Sequence, residues 1–300
     1  MVRLEVPFEE GKDTKSAISA AFNEISRLEE VFSAYKPDSE LSRLNRSAAQ
    51  GAVAVSEELF FVIKRSLEYS AKTKGSFDIT VKPLRDLWKR AGESGEPPSE
   101  ASITDARSRV GADLVFLDDR SRTVKFAQEG VELDLGAVAK GYAVDRATKV
   151  LKDLGIRNAV VSAGGDMFCI GARSKEKRWK IGIQHPRDRS KIIYTINVTD
   201  KGVDTSGDYE RYFTIAGKRY SHIIDPKTGM PIGDNIVSAT VVALDSMTAD
   251  IFATALCVSG KGGLGLAVSN GIDAMLIIKE DNGLSTYMTK DFESRYDLQK

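Results

Sequence analysis

The stretch VELDLGAVAKGYAVDRATKVLKDLG, Val131 to Gly155, decides how the chain reads. It opens as a short β-prone run, passes a glycine loop at Gly136, and becomes a helix. Ala143, Ala147, Val150, Leu151 and Leu154 form the apolar stripe of that helix, and Gly155 suits its C′ position. From about Val115 onward the pattern is strand-like. LVFLDD and TVKFAQ alternate around Asp119 to Arg122 as a hairpin, and NAVVSAGGDMFCIGAR reads as strand, Gly-Gly turn, strand. WKIGIQHP, IIYTINVTD, GVDTSGDYERYFTIAGKRYSHIIDP and NIVSATVVAL add further strands, and a hairpin around Asn282-Gly283 closes the chain. DSMTADIFATALCVSG interrupts them as a helix capped by Asp245 or Ser246.

Before Val115 the periodicity is helical. Ile18, Phe22, Ile25, Leu28 and Phe32 recur at three- and four-residue steps, and the helix ends near Tyr35 because Pro37 blocks continuation. KPDSELSRLN, Lys36 to Asn45, is a polar turn with short helical character. A second helix is expected from Ser56 to about Lys74, with Gly75 as its stop. GSFDITVKPLRDLWKR combines a short β-prone run with a helix started by Pro83. GESGEPPSE, at 92–100, reads as an exposed loop or a hinge between two subdomains of a single domain spanning 1–300. The expected fold class is α+β, a mostly antiparallel sheet with helices packed against it.

The 300 residues are 42% hydrophobic, which allows a sizeable core. Lys+Arg and Asp+Glu are both 43, a balance that argues against a general nucleic-acid surface or a polybasic membrane patch. Cys169 and Cys257 are flanked by apolar residues and read as small core residues; a disulfide stays open. No CxxC pair supports a thiolate zinc site. No run approaches the ~20 apolar residues of a membrane span. No n-region, h-region and cleavage site opens the sequence, so a cytosolic start and a trimmed mature form both stay open.

Several short motifs can carry chemistry. DLGAVAKG, Asp134 to Gly141, can aim backbone N–H groups at a phosphate, with Lys140 adding a point charge. An ordinary strand-to-helix connection is the plainer alternative, and the spacing matches neither common nucleotide fingerprint. In TADIFATAL, Asp250 and Thr254 are four apart and share a helix face. A carboxylate and a hydroxyl suit a hard cation such as magnesium; a polar helix face, or Thr254 bonding back to the Asp250 carbonyl, is the alternative. SAGGDMF, Ser162 to Phe168, permits a close backbone approach. DTSGDYERYF places Thr205, Ser206 and Gly207 on an expected tight turn. There are two histidines: His185 reads as structural, and His222 sits beside the Asp225-Pro226-Lys227-Thr228-Gly229 turn.

Taken in order, YKPDSELSRLN, GSFDITVKPL, DLGAVAKGYAVDRA, SAGGD, TSGDYERYF, HIIDPKTG and TADIFATAL resemble the ApbE family of FAD:protein FMN transferases over nearly the whole chain. The resemblance implies a T-fold-related architecture. It also implies magnesium-dependent transfer of the FMN half of FAD to a Ser or Thr hydroxyl of a target protein, with release of AMP. The cation ligands it implies are the Ala137 carbonyl, Asp250 and Thr254. The implied flavin contacts are Tyr35, Ser76, Phe77, Asp78, Asp134, Lys140 and the region around Ile224. His222 and Asp250 would be catalytic. The acceptor would be a subunit of a membrane redox complex carrying a short Ser/Thr-containing motif.

The family usually opens with an export or lipoprotein signal and a short Met-Gly-Thr strand, which the residues from Met1 do not match. A periplasmic or lipid-anchored location is therefore implied by the family alone, and one flavin contact is expected to be missing. In this scheme magnesium neutralises the pyrophosphate, and Lys140 and the loop amides stabilise the phosphate oxygens. His222 assists proton transfer or merely holds the Asp225 turn, and Tyr35 stacks on the isoalloxazine ring or merely ends the first helix. An FAD pyrophosphatase giving FMN and AMP, and a flavin-binding protein without chemistry, are the alternatives.

Overall fold

The computed structural model describes residues 2–7, 13–174 and 177–300. The first half runs β1 (Val2–Glu5), α1 (Thr14–Phe32), α2 (Glu40–Ser47), β2 (Val53–Ala54), α3 (Glu57–Lys72), α4 (Lys82–Ser94), α5 (Glu100–Arg107), β3 (Val115–Asp118), β4 (Thr123–Phe126) and α6 (Ala139–Asp153). The second half runs β5 (Ala159–Ala163), β6 (Asp166–Ile170), β7 (Trp179–His185), β8 (Asp188–Val198), β9 (Lys201–Gly207), β10 (Tyr212–Ile215), β11 (Lys218–Ser221) and β12 (Ile236–Ala243). It ends with α7 (Ser246–Ser259), α8 (Leu264–Ser269), β13 (Asp273–Glu280), β14 (Gly283–Met288) and α9 (Phe292–Tyr296).

Seven strands form the central sheet in the order β1-β5-β6-β9-β12-β13-β14, every neighbouring pair antiparallel. This is the expected α+β class. The sheet is buried on both faces, and the period-2 alternation shows it on β13. Ala274, Leu276 and Ile278 enter the main core, while Met275 and Ile277 enter a second core under the β7–β8 hairpin and α9. The edge strand β1 pairs with β5, an element the sequence reading did not anticipate.

Helix α7 is apolar nearly all round, which demands burial on all sides. Its Ile251, Phe252 and Leu256 are each at most 1% exposed, and burying side chains of this size stabilises by about 1.5–3 kcal/mol apiece. Against the expectation that no run approaches a membrane span, Ser246–Ser269 is long and apolar enough by composition to cross one. The fold instead places α7 in the core and breaks the run after Ser259. Asp245 caps α7 through the Thr248 N–H at 2.7 Å, and Asp145 on α6 takes the Ser246 and Met247 N–H groups at 2.8 and 2.9 Å. Gly141 lets α6 approach this end of α7, because a Cβ there would collide with the Ser246 carbonyl.

Several expectations are corrected. Phe22 faces solvent; α1 buries the expected Leu28 and Phe32, and with them Ala17 and Ala21, because the small alanines allow close packing on α6. Residues 131–135 are extended and buried but belong to no strand. Leu133 exchanges backbone bonds with the Asn45 side chain at 2.9 Å, and the Asp134 N–H reaches the Ile79 carbonyl. The β-prone run after Gly75 is a turn, closed by Asp78 on Thr80. Thr205, Ser206 and Gly207 lie in β9, and the turn follows them. The loop at 92–100 is shorter than expected, since α4 continues to Ser94 and ends on Gly95 at φ 78°. Cys169 and Cys257 are both buried and free.

Candidate active site

Every residue that the sequence analysis singles out for catalysis, flavin or metal lines one cavity of about 350 Å³. Four elements deliver them. The turn after α3 supplies Ser76, Phe77 and Asp78. The glycine loop and first turn of α6 supply Asp134, Ala137 and Lys140. The segment after β11 supplies His222 and Ile224, and α7 supplies Asp250 and Thr254. Tyr35 lies beyond the end of α1 and is 71% exposed, a ring at the mouth rather than a helix stop. His185 lies outside the cavity lining; its Nδ1 accepts the Arg187 N–H in the β7–β8 hairpin.

The deepest part is acidic. One oxygen each from Asp166, Asp204 and Asp250 lie within 4.8 Å of one another. Lys140 Nζ sits 2.8 and 2.9 Å from the Asp166 oxygens and 3.2 Å from Asp250 Oδ2. Burial alone would push the ammonium down, but attraction by Asp250, then Asp166 and Asp204, outweighs it and holds Lys140 above its ordinary value. Burial, then repulsion from Asp204 and Asp250, pushes the Asp166 carboxyl well up. Burial, then the Asp250 charge, pushes up Asp204. The Thr254 and Ser206 hydroxyls face each other at 3.4 Å beside this floor.

His222 closes another wall. Its Nδ1 lies 2.8 Å from the Arg211 carbonyl, which assigns the proton to Nδ1 and leaves Nε2 as the acceptor. Burial is the main cause that pushes its pKa down to about 4; the Arg211 carbonyl opposes this, and the charges of Arg211, Arg85 and Lys140 add to it. The imidazole is neutral at pH 7. The neighbouring turn is fixed by Asp225, which takes the Lys227 N–H at 2.9 Å, and by Trp88, whose indole donates to the Gly229 carbonyl at 2.8 Å.

Arg85, Asp166 and Asp204 are cavity residues to which sequence reasoning gave no role, and Ser206, named there only as part of an expected turn, joins them. A signal existed for two of them. Had Asp204-Thr205-Ser206 been read as strand, alternation would have put Asp204 and Ser206 on one face. Arg85 had no such mark.

The profile of the ApbE family matches residues 1–276. The chain belongs to the ApbE family. It is 36% identical over 278 residues to the FAD:protein FMN transferase of Vibrio cholerae serotype O1, covering 90% of this chain and 83% of that one. It is 32% identical over 299 residues to the Escherichia coli K12 protein of the same name, covering 97% and 85%. The solved flavin transferase ApbE from Vibrio cholerae superposes with a TM-score of 0.86 at 31% identity, over 98% of this chain and 94% of that one. The ApbE protein of Thermotoga maritima gives the same score and identity over 98% and 99%. The sheet order and the cavity that gathers these residues are thus set in an ApbE frame.

Proposed function

We propose that the chain transfers the FMN moiety of FAD to a Ser or Thr hydroxyl of a target protein, with a magnesium ion, and releases AMP. One observation carries the reading: a neutral histidine, a lysine and an oxygen-rich acidic floor converge in one cavity. The names of the relatives support flavin transfer as the reaction.

The donors suit a hard cation, since Asp250, the Thr254 hydroxyl and the Ala137 carbonyl are all oxygen ligands, and an unbonded oxygen of Asp204 lies on the same floor. When bound there, magnesium would supply charge neutralisation for the pyrophosphate. The chain's own groups do the rest. Lys140 and the N–H groups of the glycine loop stabilise charge on the phosphate oxygens. His222 Nε2 takes the proton of the acceptor hydroxyl as its oxygen bonds to the phosphorus on the FMN side. The phosphorus–oxygen bond to AMP breaks, and AMP leaves with the electron pair. Tyr35 offers its aromatic face to the isoalloxazine end. The acceptor belongs to this proposal as a redox-complex subunit with a Ser/Thr-containing motif.

Magnesium dependence tests the reading. Asp250→Ala is expected to abolish magnesium-dependent AMP release while keeping the unfolding transition; retained magnesium-dependent turnover removes Asp250 from the cation site. AMP with free FMN and an unmodified acceptor would assign the pyrophosphatase reaction instead.

A further inference from the structure

The cavity floor holds more negative charge than one cation-binding aspartate requires. Asp166 from β6 and Asp204 from β9 reach the same point as Asp250 from α7, and the three are 1%, 2% and 1% exposed. Their surroundings differ. Asp166 directs both oxygens at Lys140 Nζ. Asp250 Oδ2 shares Lys140 and faces the Gly141 N–H at 3.4 Å. Asp204 Oδ2 is buried and, among the described residues, accepts no N–H or O–H, while the Asp166 carboxyl lies against the Asp204 side chain. A buried carboxylate oxygen without a donor is unfavourable unless a proton or a cation meets it. With all three carboxylates ionised against one lysine, two negative charges remain, the complement of one divalent cation.

We propose that Asp204 is a further ligand of the divalent cation, with its unbonded Oδ2 as donor atom, and that this lets the chain bind the cation before FAD arrives. Lys140 stays on Asp166, so ammonium and cation lie side by side over the floor. The proposal rests on the reading that Asp250 holds a cation and extends it by one residue. Four oxygen donors of the chain (Asp250, Thr254, the Ala137 carbonyl and Asp204) then surround the ion, with positions left for water and phosphate.

The test uses the full chain without FAD and titrates Mn²⁺ by calorimetry, with Mg²⁺ in competition. The wild type is expected to bind one Mn²⁺ per chain. Asp204→Asn, which keeps the side-chain shape, is expected to weaken binding about 10–100-fold and to shrink the rise in Tm that Mn²⁺ produces. Asp204→Ser serves as a second variant, and either folded variant binding Mn²⁺ as tightly as wild type overturns the proposal. So does a wild type that binds no Mn²⁺ until FAD is added. Asp250→Asn, measured alongside, separates the two claims. If it weakens Mn²⁺ binding and the Asp204 variants do not, only the present inference falls. If it binds as wild type, the underlying cation reading falls.

Discussion

Arg85 and Asp134 form an ion pair at the lip of the cavity, and Asp134 Oδ1 also accepts the Gly136 N–H at 2.8 Å. Arg85 reaches Tyr35 as well, donating to its hydroxyl at 3.0 Å with the guanidinium 5.7 Å from the ring centroid. One side chain therefore ties the glycine loop of α6 to the aromatic ring at the mouth. The same loop carries Ala137 into the cavity lining.

Arg85→Met is expected to release both ends. A fully buried pair that loses one partner costs ~3–5 kcal/mol. Here the Arg85 side chain is 21% exposed, so the loss in unfolding free energy should be about 2 kcal/mol. FAD binding should weaken roughly tenfold, or ~1.4 kcal/mol, measured by flavin fluorescence titration. Arg85→Lys keeps the charge but lacks the planar fork, and should recover only part of the affinity. Unchanged FAD affinity in Arg85→Met would remove the tie between loop and ring.

His222 should work as a base well below neutral pH. Its pKa is pushed down to about 4, so the neutral form dominates from about pH 5 upward. The acid limb of kcat/KM should fall near pH 4 rather than near the ordinary ~6.5. His222→Ala should lose about 10²–10⁴-fold in turnover and keep FAD binding. The same shift enters stability. Between pH 4 and the ordinary ~6.5 the unfolded chain binds the proton and the folded chain does not. The His222 contribution is therefore present above that window and lost as pH falls through it. An acid limb centred near ~6.5 would contradict this environment.

Much of the fold was legible because it rests on local signals. Ser56 and Asp245 each cap a helix where a polar residue precedes an apolar run. The Gly164-Gly165 turn and the β13–β14 hairpin follow turn chemistry. What failed depends on partners remote in sequence. The extended run 131–135 looked like a strand, but Asn45 and Ile79, not a strand, take its backbone bonds. The resemblance named residues that the fold brings to one cavity. Asp166, Asp204 and Arg85 were not among them, since a carboxylate on a strand becomes part of a floor only when β6, β9 and α7 are brought together.

Gly141→Ala should destabilise the chain although it changes no chemistry. Its Cβ would collide with the Ser246 carbonyl and lie 2.8 Å from the Met247 Cα. Both are backbone at the capped start of α7, which cannot rotate away. The expected cost is roughly 1–3 kcal/mol, with a drop in activity as α7 moves Asp250. Gly262→Ala, where a Cβ meets nothing within 4 Å, is the matched control and should stay within about 0.5 kcal/mol. Equal unfolding midpoints for the two variants would contradict the close approach of α6 and α7 as a constraint.

The most direct measurement incubates the full chain with FAD, Mg²⁺ and a peptide bearing the Ser/Thr-containing acceptor motif. It follows peptide intact mass and AMP together. An FMN-sized mass gain on the peptide, matched by AMP and lost when its Ser or Thr is replaced by Ala, is the predicted result. AMP accumulating with free FMN and an unmodified peptide, under conditions where the Vibrio cholerae relative modifies that peptide, would contradict the proposed transfer.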